Sequence, residues 1–107
     1  MLILLVASSE APSTLESAIG LADIAVRRGH EVAVFFHMGG VHLLKAPQAS
    51  NRLAALASQG ARLLACRTSA KERGIESEDE LADGAEMSSL SQLIELLDRC
   101  DRALFLG

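Results

Sequence analysis

The run Leu2-Ile3-Leu4-Leu5-Val6-Ala7 contains no polar residue. A strand with one wet face alternates polar and apolar side chains, whereas a strand covered on both faces reads as continuously apolar. Such a strand demands helices above and below it, and the sequence supplies helical patterns between its apolar runs. Ser13-Thr14-Leu15-Glu16 has the form of a capping box behind Pro12. Leu15, Ala18, Ile19, Ala22, Ala25 and Val26 then recur at helical spacing, and Gly29 stops the pattern after Arg27 and Arg28. Glu31–His37 reads as a second strand, Gly39-Gly40 as a turn and the stretch up to Pro47 as irregular. A helix over Ser50–Gln59 with Leu53, Leu56 and Ala57 inward leads to a third strand, Ala61–Ala65. Arg67–Gly74 reads as a short basic helix, Ser77-Glu78-Asp79-Glu80 as a capped turn ending by Gly84, and Ala85–Ser88 as a short strand. Ser89-Leu90-Ser91-Gln92 caps a last helix with Leu93, Leu96 and Leu97 inward, before a closing strand at Arg102–Leu106. Strands alternating with helices predict a three-layer α/β sandwich on a parallel sheet, a single domain over residues 1–107.

Composition narrows the function. Half of the residues are hydrophobic but only 3% are aromatic, so the core must be aliphatic. A net charge of −4 argues against direct binding to a nucleic-acid backbone. No apolar run approaches the ~18 residues of a membrane span, and the apolar start lacks the basic flank of a secretory signal. The expectation is a cytoplasmic protein with no membrane partner. Cys66 and Cys100 form neither a Cys-x-x-Cys unit nor a disulfide framework. The loop Ser8-Ser9-Glu10-Ala11-Pro12 has no glycine, and neither phosphate-binding glycine motif occurs. No nucleotide, flavin or other cofactor is expected.

Cys66 is the residue best placed for chemistry. It follows a strand and precedes a basic helix, at the sheet end where open α/β folds carry their sites. Arg67 and Lys71 are read as cations that hold the thiolate, helped by a helix start if Ser69 caps with Glu72. The plain alternative is that Cys66 is a small buried hydrophobe, as most free cysteines are. His37 ends the second strand and becomes a nearby base if that strand neighbours the third. His37, His42 and Cys66 together would suit zinc or copper, against a reading of both histidines as strand-end and contact residues. His30, beside a glycine, reads as structural. So do Cys100, at the negative end of a helix, and the acidic stretch Glu76–Glu80 at the positive end of one.

Gly29-His30-Glu31-Val32, Val34-Phe35-Phe36 and Gly40-Val41 in order resemble a strand and turn of the DsrE/DsrF family, and within it of TusD-type sulfur-relay subunits. Cys66 with Ala70, Arg73 and Gly74 resembles the family's active cysteine and the helix after it, and Leu81, Gly84, Leu90, Leu93 and Cys100-Asp101-Arg102 its closing segment. The chain departs from the TusD pattern in a short segment after the second strand and in His42 after Gly-Val. The resemblance implies a five-stranded parallel sheet in which strands one to four are neighbours in order and strand five flanks strand one. It implies trimers or hexamers, of identical or different chains, with the cysteine near a subunit boundary. It also implies a persulfide carried on Cys66 between donor and acceptor proteins, in tRNA thiolation or sulfur oxidation, with no metal or cofactor. A different class stays open beside it: a non-catalytic oligomeric binding module, metal-responsive through His37, His42 and Cys66.

Overall fold

A computed structural model describes all of residues 1–107. Five strands, β1 (Leu2–Ala7), β2 (Glu31–Phe36), β3 (Arg62–Cys66), β4 (Ala85–Ser88) and β5 (Arg102–Phe105), form one sheet in the order β4-β3-β2-β1-β5. Every pairing is parallel. This is the expected three-layer α/β architecture, with the strand order that the resemblance implied.

The connections explain the two unequal layers. From β1 to β4 the chain steps outward through α1 (Pro12–Arg27), α2 (Ser50–Ser58) and α3 (Arg67–Glu72). It then crosses back over the sheet through α4 (Leu90–Arg99) to place β5 beside β1. Because parallel crossovers keep one hand, steps in opposite directions put their helices on opposite faces. One face therefore buries a cluster of 24 residues and the other a cluster of 8. Successive strand residues alternate between them: Leu63 and Ala65 belong to the large cluster, Leu64 and Cys66 to the small one. Phe36 and Phe35 divide in the same way, and aliphatic side chains fill the rest.

Three local readings are corrected. Ser13 does not cap α1: Ala11 is the N-cap without a side-chain bond, and Pro12 takes the first helical position, where its missing N–H costs nothing. Ser69 does not cap α3, which starts at once after the strand with Cys66 itself as N-cap. Gly39-Gly40 is no simple turn but lies inside a 3₁₀ helix, Met38–Lys45. A Cβ on Gly40 would stand 2.0 Å from the Ala7 carbonyl oxygen, so the segment packs backbone to backbone on the end of β1. The other caps form as read. Ser77 and Glu80 make a reciprocal capping box on the turn Glu78–Glu80, and Ser89 Oγ accepts from the Gln92 N–H at 3.1 Å.

Candidate functional site

The carboxyl ends of β1, β2, β3 and β4 bring the Ser8 loop, His37, Cys66 and Ser88 to one edge of the sheet. Cys66 is the last residue of β3 and pairs in register with Ser88, the last residue of β4. Residues in parallel register point their side chains to the same face, here the α4 side. Cys66 is only 1% exposed and belongs to the cluster that also holds Leu4, Val6, Phe35 and Leu64. The thiol is thus enclosed in an aliphatic pocket under α4.

Three polar side chains are buried in the whole chain, Thr14, Ser69 and Ser88. Two of them flank Cys66, one in the helix that follows it and one on the neighbouring strand. Ser69 Oγ accepts the Met38 N–H at 2.9 Å, tying α3 to the 3₁₀ helix. Met38 needs this anchor, because its φ of +54° is the one left-handed conformation outside glycine. Ser88 Oγ donates to Gln92 Oε1, joining β4 to the first turn of α4.

His37 follows the last paired residue of β2, and its N–H donates to the Ala7 carbonyl at 2.9 Å. Its ring lies 6.4 Å from that of Phe35, tilted by 47°. Phe35 packs in the same cluster as Cys66, so the imidazole stands on the sulfur's side of the sheet. No side-chain hydrogen bond joins His37 to Cys66.

Arg67 and Lys71 stand elsewhere than the sequence placed them. With Ile75, Glu76 and Met87 they line a cavity of about 290 Å³. Ile75 and Met87 pack on the large cluster, so the cavity opens on the side of the sheet away from the sulfur. Cys66 does not line it, and neither cation is paired with the thiol. The His37–His42–Cys66 metal trio is also corrected: no three His, Cys, Asp or Glu side chains are grouped to hold a metal ion. The reason is local, since His42 lies in the 3₁₀ helix between the buried Val41 and Leu43 while Cys66 points under α4.

Cys100 is half-buried at the end of α4, its Sγ donating to the Leu97 carbonyl at 3.4 Å. The acidic stretch is structural too. Glu80 accepts the N–H groups of Glu76 and Ser77, and Glu78 that of Met87. The bonds from the Glu76 and Ser77 N–H groups hold the Glu80 carboxyl below its ordinary value, with Lys45 adding to the effect. Sequence reasoning missed Ser88 and Gln92, although the pairing of Ser88 with Cys66 follows once strand order is known.

A family model described as DsrE/DsrF-like matches residues 1–106. The chain belongs to the DsrE/DsrF-like family. Solved structures of that fold extend the match. The ychN protein from E. coli superimposes with a TM-score of 0.72 at 21% identity, over 97% of each chain. A protein of unknown function from Methanobacterium thermoautotrophicum, MTH1491, gives a TM-score of 0.83 at 16% identity, again over 97% of each. BT1422 from Bacteroides thetaiotaomicron gives 0.77 at 14%, over 97% of this chain and 93% of that one. No curated protein matches in sequence. At these identities the structural likeness establishes the DsrE/DsrF-like fold, and no helix of this member is long and apolar enough to cross a membrane.

Proposed function

We propose that the protein is a sulfur carrier of the DsrE/DsrF-like type, holding sulfane sulfur as a persulfide on Cys66. The observation that carries the reading is the placement of a free cysteine as the last residue of β3 and the N-cap of α3, at the sheet edge where this class of fold carries its chemistry. Family membership supports the same chemistry. The Cys66 thiolate attacks the outer sulfur of a donor persulfide. A new S–S bond forms, the donor's S–S bond breaks, and the electron pair leaves with the donor thiolate. An acceptor thiolate then takes the outer sulfur and restores Cys66, so no oxidant is needed. His37, on the same face of the sheet, receives the thiol proton.

Burial of the sulfur shields a persulfide from water and stray thiols, and transfer requires the wall over Cys66 to open to the partner protein. Donor and acceptor are proteins in this reading, and the protein works in the cytoplasm as an oligomer. Incubation with a persulfide donor, followed by intact mass spectrometry, is expected to add one sulfur to the wild type and none to Cys66→Ser. Equal loading of both overturns the proposal.

A further inference from the structure

The small cluster under α4 is apolar except at one point. Ser88 is 3% exposed, lies in register with Cys66 on the same face, and spends its hydroxyl proton on Gln92 Oε1. A hydroxyl buried in an aliphatic cluster costs stability unless bonded, and this one sits on the strand beside the thiol, with adjacent strands about 4.8 Å apart. We propose that Ser88 is the hydrogen-bond donor that stabilises the anionic Cys66 sulfur, and that Gln92 holds this donor in reserve while the sulfur is protonated. The inference rests on reading Cys66 as a sulfur carrier.

When Cys66 loses its proton to solvent or to a base, the Ser88 O–H turns from the neutral Gln92 carbonyl to the charged sulfur. A bond to an anion is about twice as strong as one between neutral groups, so the exchange favours the ionised form. No side-chain hydrogen bond reaches the Cys66 sulfur, and the charged groups nearest in sequence are turned from it or exposed. Arg67 and Lys71 of α3 line the cavity on the far side, His37 at the end of β2 makes no bond to the sulfur, and Glu86 of β4 is exposed. The α4 residues packed over the cluster, Leu93, Leu96 and Leu97, carry no charge.

The test is an ultraviolet titration of thiolate absorbance in a Cys100→Ser background, with no sulfur donor present, so that Cys66 alone reports. Ser88→Ala is expected to raise the Cys66 midpoint enough to cut the thiolate fraction below it about tenfold. Gln92→Met keeps the Ser88 hydroxyl and removes its competitor, and is expected to lower the midpoint below that of the wild type. Loosened packing alone would move both variants alike. An unchanged midpoint in Ser88→Ala, or an equal rise in both variants, overturns the assignment. Should Ser88→Ala fail to fold, Gln92→Met decides alone, a lowered midpoint supporting the proposal and an unchanged or raised one overturning it. A wild type that takes up no sulfur while Ser88→Ala still shifts the midpoint would sink sulfur carriage and leave the role of Ser88 standing.

Discussion

Two adjacent glycines are expected to respond oppositely to the same substitution. In Gly40→Ala the new methyl would stand 2.0 Å from the Ala7 carbonyl oxygen and 2.8 Å from its carbon. Both atoms are backbone in the central sheet, so neither can swing aside as a side chain would. The Ala7 carbonyl also accepts the His37 N–H at 2.9 Å, and the Gly40 N–H donates to the His37 carbonyl at 2.9 Å. Relief of the clash therefore lengthens at least one of these bonds. Overpacking costs about 1–3 kcal/mol and a weakened bond about 1 kcal/mol more. A loss of about 2–4 kcal/mol corresponds to a fall in Tm of roughly 10–30 °C for a domain of this size. At Gly39 a new Cβ meets nothing nearer than 3.6 Å. Gly39→Ala thus gains from the stiffer unfolded chain and is expected to raise stability by about 0.4–1 kcal/mol. Urea denaturation followed by circular dichroism measures both. If Gly40→Ala proves as stable as Gly39→Ala, the close approach of the 3₁₀ helix to β1 is wrong.

Further outcomes follow from the same packing. Met38→Gly relieves a left-handed residue and is expected to stabilise by about 1 kcal/mol, whereas Ser69→Ala removes the acceptor of the Met38 N–H and is expected to cost about 1 kcal/mol; urea midpoints read both. On the surface, Arg52 makes a two-pronged bond to Glu16 across α1 and α2, at 2.8 and 3.0 Å. Hydrogen bonding to Arg52 holds the Glu16 carboxyl below its ordinary value. A lowered carboxyl stabilises the fold above its ordinary value, and the contribution fades as pH falls through the lowered one. Glu16→Gln is therefore expected to flatten the acid limb of the stability–pH curve, seen by comparing urea midpoints at neutral and acid pH with the wild type, and the difference should shrink in high salt.

Much of the layered fold is legible in the sequence because buried parallel strands leave an unbroken apolar trace, as Leu2–Ala7 does. The caps at Ser77 and Ser89 were legible for a similar reason, since each side chain has only nearby backbone to satisfy. Ser13 and Ser69 carry the same local pattern, but longer-range geometry overrides it. Pro12 fixes the start of α1, and Ser69 is claimed by Met38 across the fold. The face on which Cys66 lies was hidden, because a strand buried on both sides has no polar phase to reveal which residues point where. Arg67 and Lys71 went astray for that reason: adjacency in sequence placed them by the sulfur, while alternation along β3 turned the sulfur away. Strand order, once given, makes the pairing of Ser88 with Cys66 follow directly.

The inequality of the two layers has a kinetic consequence. α4 holds its face of the sheet with Leu96 alone fully buried among its residues, so its local unfolding is expected at a small free energy. Amide hydrogen exchange along α4 then reports how often the sulfur meets solvent. In the proposed carrier the helix acts as a shutter whose opening frequency, set by the few leucines packed on the Cys66 cluster, bounds the rate at which a sulfur on Cys66 could be exchanged.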